Sequence, residues 1–136
     1  MNTKMIQSPD GHVRPRENGH VSSILLLESD PGLRKSIALS LQQNGIRVLE
    51  ASDNTEALEI LDRVPLTLFI IDCDSSTQCG NLIETFREKS SKQTGNVLLI
   101  SMERLEDQWR QQYRPDAVIY KPFDIRYLYR RIKNLI

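Results

Sequence analysis

Short apolar runs alternate with longer amphipathic stretches from residue 23 to the end of the chain. "SILLL" (23–27), "IRVLEA" (46–51), "LTLFII" (66–71), "NVLLIS" (96–101) and "AVIY" (117–120) have the length and composition of buried strands. The segments between them carry helical stripes. Leu33, Ile37 and Leu41, with Ala38 beside them, form the first, opened by Asp30-Pro31 and closed by Gly45. Ala57, Ile60, Leu61 and Val64 form the second, with Asp53 and Glu56 spaced as a capping box and Pro65 as the stop. Residues 81–90 give a third helix, with Leu82, Ile83 and Phe86 inward. Residues 104–113 give a short fourth, with Trp109 half-buried. The last, capped by Asp124, turns Ile125, Leu128, Ile132 and Leu135 to the core.

Five β/α units in this order predict an α/β fold, a parallel sheet covered by helices on both faces. Such a sheet places its functional crevice at the C-terminal ends of its strands. The polar residues just past the strands are therefore the candidates for chemistry. They are Glu28, Ser29 and Asp30 after the first strand, Asp72 and Asp74 after the third, Ser101 at the end of the fourth and Lys121 after the fifth.

Residues 1–21 contain Pro9, Gly11, Pro15 and Gly19 and few large apolar groups, so they are expected to form a flexible tail before one folded domain, residues 22–136. His12 and His20 fall in this tail and need no role. Lys plus Arg and Asp plus Glu both number 18, for a net charge of zero, which removes a global pull toward nucleic acid or anionic membrane. No apolar run is long enough for a membrane span, and no apolar signal core opens the chain. Two cysteines, Cys73 and Cys79, are too few for a disulfide framework and have no His or third Cys beside them, so packing or loop roles in a reduced, cytoplasmic setting are expected.

Clustered carboxylates repel unless a hard cation lies between them, and Mg2+ prefers such oxygen ligands. A cation and a lysine together clamp the oxygens of a phosphoryl group, a carboxylate can itself accept one, and a nearby hydroxyl can sense it. Asp72 at the end of a buried strand suits the acceptor. Asp30 and Asp124 read first as helix caps, and Asp74 as a loop or cap residue.

The motifs "ILLLESDPGLR", "LTLFIID", "VLLIS" and "YKPF" occur in the order and spacing of a response-regulator receiver domain, and the segment from Ser23 to Ile136 resembles that CheY-like family. The resemblance implies a doubly wound (βα)5 flavodoxin-like sandwich with strand order 2-1-3-4-5. It implies Asp72 as phosphoacceptor, Ser101 as switch hydroxyl and Lys121 as the phosphoryl contact. Glu28 would be an Mg2+ ligand with Asp72, with Asp74 and Asp30 as further candidates. Gly80 would be the glycine opening the third helix, and Lys121-Pro122 a cis bond. The implied partners are a sensor histidine kinase or phosphotransfer protein and a downstream protein on the 104–136 face, which could also pair two copies. No enzyme activity beyond self-phosphorylation and self-dephosphorylation is implied. With no effector domain expected after Ile136, output would pass through that face, whose Arg126, Arg130, Arg131 and Lys133 are weak grounds for DNA binding.

Four positions depart from the family pattern. Ser29 replaces the second acid of the metal pair, which lowers the expected Mg2+ affinity. Ser76 replaces the proline after the acceptor. Val118 stands at the aromatic switch position, and Met102 follows Ser101 where a small residue is common. Tyr120 is expected to point to the opposite face and is not given the switch role. These departures leave a phosphorylation-independent pseudo-receiver, a protein-binding module, as the alternative. "DCDSS" also resembles the first motif of haloacid-dehalogenase-type phosphatases, but a complete acidic β/α unit precedes Asp72 and too little chain follows Lys121 for the later acidic motif.

Overall fold

The computed structural model describes residues 22–73, 76–89 and 95–136. The expected tail, residues 1–21, and Asp74 lie outside them. Five strands alternate with five helices: β1 (Ser23–Leu27), α1 (Pro31–Gln43), β2 (Arg47–Ala51), α2 (Asn54–Arg63), β3 (Leu68–Cys73), α3 (Ser76–Lys89), β4 (Asn96–Ser101), α4 (Asp107–Tyr113), β5 (Ala117–Tyr120) and α5 (Ile125–Lys133). All strand pairs are parallel and the order is β2-β1-β3-β4-β5, as the resemblance implied.

The sheet divides two cores by the two-residue period of its strands. Ile24, Leu26, Leu68, Ile70, Leu98 and Ile100 face α1 and α5, where they meet Ile37, Leu41, Leu128 and Ile132. Leu25, Leu27, Phe69, Ile71, Val97 and Leu99 face the other way, toward Ala57, Leu61, Leu82, Ile83 and Phe86. Phe69 and Phe86 pack with ring centroids 5.6 Å apart. This two-sided burial explains why the central strands read as unbroken apolar runs.

The caps form largely as the sequence predicts. Oδ1 of Asp30 accepts from Gly32 N at 3.0 Å, and Gly45 takes a φ of 81° after α1, a left-handed position that glycine fills without strain. Asp53 caps α2 through Glu56 N at 2.8 Å, but the reciprocal half of the box is different: the Glu56 carboxylate takes Ser52 N and Oγ instead. β3 runs two residues further than expected and includes Asp72 and Cys73, and α4 begins only at Asp107. α3 begins at Ser76, because its apolar stripe starts one turn early at buried Cys79, ahead of Leu82, Ile83 and Phe86. Gly80 accordingly lies inside α3 rather than opening it.

Candidate functional site

β1, β3, β4 and β5 deliver Glu28, Asp72, Ser101 and Lys121 to one edge of the sheet. The backbone fixes each in turn. Glu28 N donates to Ala51 O at 3.0 Å, continuing the β1–β2 ladder one residue past the strand. Asp72 pairs in register with Ile100, and Lys121 N donates to Ser101 O at 2.9 Å. Glu28, Asp72 and Ser101 are buried, in a region where polar side chains need partners.

Lys121 supplies one. Its ammonium hydrogen-bonds Oδ2 of Asp72 and lies 3.7 Å from Oε1 of Glu28. Oε2 of Glu28 accepts from Asp30 N at 2.9 Å. That leaves Glu28 Oε1 and Asp72 Oδ1, both buried and both without a hydrogen-bond partner. With both carboxylates ionised, no hydrogen bond satisfies these oxygens, and only the Lys121 charge stands near Glu28 Oε1. A proton or a cation between them satisfies both. Burial first, and then the hydrogen bond that a protonated Glu28 can donate to Asp72, push the Glu28 carboxyl up to about 7 against the opposing pull of Asp30 N and Lys121.

The two orphaned oxygens fit a hard divalent ion that keeps most of its waters, as Mg2+ does. Oδ1 of Asp30 is engaged as the α1 cap, and among the described residues no three His, Cys, Asp or Glu side chains come together as a metal cage. Ser29 is exposed and contributes no charge. The Ser101 hydroxyl is engaged locally, donating to Glu103 O at 2.6 Å and accepting from Glu103 N at 3.2 Å.

Several features were not read from the sequence. Nη1 of Arg34 donates to Glu28 O at 2.9 Å and Nε meets Oε1 of Glu50 at 3.3 Å, so α1 and β2 together brace the acidic turn. An arginine in the first turn of the helix after that turn was the available signal. Cys73 and Cys79 are disulfide-bonded, with Cα atoms 5.8 Å apart, which corrects the expectation of separate packing or loop roles. The signal was parity: Cys73 shares the face of Phe69 and Ile71, and Cys79 lies on the α3 stripe that covers that face. Parity also corrects Tyr120. Two residues from Val118 is the same face of a strand, and the Tyr120 hydroxyl accepts from Arg110 Nη1 of α4 at 3.2 Å. The Lys121-Pro122 bond is cis, as the resemblance implied.

Gly80 also has a clear physical reason. A β-carbon there would stand 2.4 Å from the ring of Tyr113, so α3 and α4 approach closely only because the residue is glycine. Arg87 of α3 completes the contact by donating to the carbonyls of Tyr113 and Arg114 at the C-terminal end of α4.

No family model matches the chain. Response regulator RR06 of Streptococcus pneumoniae is 31% identical over 117 residues, covering 84% of this chain and 52% of that protein. The probable transcriptional regulator ycf29 of Cyanophora paradoxa is 31% identical over 106 residues, 76% of this chain and 50% of that protein. The chain thus spans about half the length of these curated relatives. Among solved structures, a response regulator from Thermotoga maritima superposes with a TM-score of 0.74 at 23% identity, over 85% of this chain and 98% of that one. Chemotaxis protein CheY4 of Vibrio cholerae gives 0.75 at 19% identity, over 85% and 99%. Response regulator TrrA of Thermotoga maritima, in complex with Mg2+-BeF, gives 0.71 at 20%, over 85% and 100%. Together with the strand order and the strand-end residues, these likenesses make the described part of this chain a response-regulator receiver domain of the CheY-like kind.

Proposed function

We propose that this receiver accepts a phosphoryl group on Asp72 from a partner histidine kinase or phosphotransfer protein and signals through its surface. The observation that carries the reading is the arrangement of Glu28, Asp72 and Lys121: two buried carboxylates, each with one unsatisfied oxygen, and a lysine already in contact with the acceptor. A carboxylate oxygen of Asp72 attacks the phosphorus, and the bond to the donor's nitrogen or oxygen breaks. Lys121 holds its charge beside the incoming phosphoryl oxygens. Ser101 turns its hydroxyl from Glu103 O to one of them, and that exchange of partners is the switch. Glu28 and Asp72 would hold Mg2+, which when bound neutralises charge on the phosphoryl oxygens. The complex of a structural relative, TrrA, with Mg2+-BeF supports this assignment by analogy.

The output surface is α4, β5 and α5, where Tyr120 and Tyr127 are 38% and 39% exposed among Arg110, Arg126, Arg130 and Arg131. It would take a downstream protein or a second copy of the chain. Among the described residues no helix is long and apolar enough to cross a membrane. A cytoplasmic location, shared with the kinase, belongs to the same proposal.

Incubation with Mg2+ and a small phosphodonor, followed by intact mass measurement, tests the proposal. Wild type gains one phosphoryl group and Asp72→Asn gains none. No gain in wild type leaves the phosphorylation-independent pseudo-receiver, which the engaged Ser101 hydroxyl and neutral Ser29 would then explain. Sustained turnover of an aryl phosphate would instead point to a phosphatase.

A further inference from the structure

The disulfide occupies an informative place. Cys73 directly follows Asp72 on β3, but strand alternation turns it to the opposite face, toward α3. Cys79 lies in α3 and is 4% exposed, whereas Cys73 is half-buried. The bridge spans a sequence separation of 6 and joins the strand tip that holds Asp72 to the helix that covers it. The residue after Cys79 is Gly80, the seat of the Tyr113 ring. Tyr113 in turn packs against Trp109, with ring centroids 4.9 Å apart. A covalent link at one end of this series therefore bears on α4 at the other. So short a span closes a small loop, worth about 2 kcal/mol by loop-closure entropy and less than a longer loop would give.

We infer that Cys73 and Cys79 form a reversible thiol–disulfide site whose state is transmitted through Gly80 and Tyr113 to Trp109 on α4. The oxidant is a low-molecular-weight disulfide, RSSR. The thiolate of Cys73, the more accessible of the two, attacks one sulfur of RSSR, forming a mixed disulfide and releasing one RS⁻. The thiolate of Cys79 then attacks the Cys73 sulfur, closing the bridge and releasing the second RS⁻. The two protein thiols lose two electrons and two protons in all, and RSSR becomes two RSH. An excess of RSH runs both exchanges backwards. This site is independent of phosphoryl chemistry and stands whether or not Asp72 is phosphorylated.

The whole protein, equilibrated in glutathione buffers from fully reduced to fully oxidised, tests the inference by two readings. Alkylation after denaturation counts free thiols, and the emission of Trp109, the chain's single tryptophan, reports on α4. Two alkylated thiols per chain should fall to none as oxidised glutathione rises, return on reduction, and carry the emission with them. Cys73→Ser, or Cys73→Ala if the serine variant folds poorly, should leave the emission unresponsive. In Tyr113→Leu the bridge should still form while the emission no longer follows it. Thiols that stay alkylatable at every ratio, or emission that is the same in the bridged and reduced protein, would overturn the inference.

Discussion

Lys121 reaches across the end of β4 to hydrogen-bond Asp72, 49 residues earlier in the chain, and holds a second carboxylate, Glu28, within 3.7 Å. One ammonium thus compensates two buried acids. Lys121→Met removes it and strands both. Removing one partner of a buried ion pair is far more costly than the pair is stabilising. In the presence of a chelator we expect Lys121→Met to lose about 2 to 4 kcal/mol in urea unfolding at pH 8. Millimolar Mg2+ should recover part of that loss, because the ion replaces the missing charge. Equal losses with and without Mg2+ would mean that the cation does not bind between Glu28 and Asp72.

Glu28 makes stability depend on pH. Its carboxyl is raised from near 4.5 to about 7, chiefly by burial and then by Asp72. Between these values the folded chain keeps a proton that the unfolded chain has released, so stability falls as pH rises. The contribution is fully present below about pH 4.5 and is lost by about pH 7, and its size is on the order of 3 kcal/mol. Urea midpoints measured in chelator across this window should fall with pH in wild type, and the decline should be much shallower in Glu28→Gln. Parallel curves for the two proteins would contradict the assignment.

The neutral Ser29 gives a gain-of-function test. It is exposed beside Glu28 at the mouth of the acidic turn. Ser29→Asp adds a carboxylate there and should tighten Mg2+ binding by roughly tenfold, the effect of about 1.4 kcal/mol. Asp30→Asn should leave Mg2+ affinity unchanged, since an asparagine keeps the cap to Gly32 N. Calorimetric titration of the three proteins distinguishes the two positions, and a large loss in Asp30→Asn would make Asp30 a ligand after all.

Gly80 reverses an ordinary helix rule. Glycine to alanine inside a helix commonly stabilises by about 1 kcal/mol. Here the added methyl would lie 2.4 to 2.7 Å from ring atoms of Tyr113. Gly80→Ala should therefore destabilise by about 1 to 3 kcal/mol. The same substitution in a Tyr113→Leu background should cost much less, giving a clear coupling energy in the double-mutant cycle. Additive effects would show that the two residues do not meet.

The sequence revealed the fold through period and punctuation. Apolar runs of strand length, amphipathic stripes, Asp30, Asp53 and Asp124 as caps, and Gly45 as a stop all agree with the same sandwich. The strand ends then brought Glu28, Asp72 and Lys121 into one list, and the structure brings them into contact. What escaped was longer in range or hidden by residue type. The first turn of α3 is polar apart from Cys79, so its apolar pattern becomes plain only from Leu82 onward. The brace formed by Arg34 and Glu50 depends on a helix and a strand meeting, and no local pattern reports it. The face of Tyr120 follows from strand parity, which it shares with Val118.

The account rests on Asp72, and reductive trapping tests it most directly. After incubation with Mg2+ and a small phosphodonor, borohydride reduces an aspartyl phosphate to homoserine, a change of mass that peptide mapping assigns to one residue. We expect homoserine at position 72 in wild type and unmodified peptide in a parallel sample without the donor. Trapping at another acid, or no trapping in a protein that retains its fold, would contradict it.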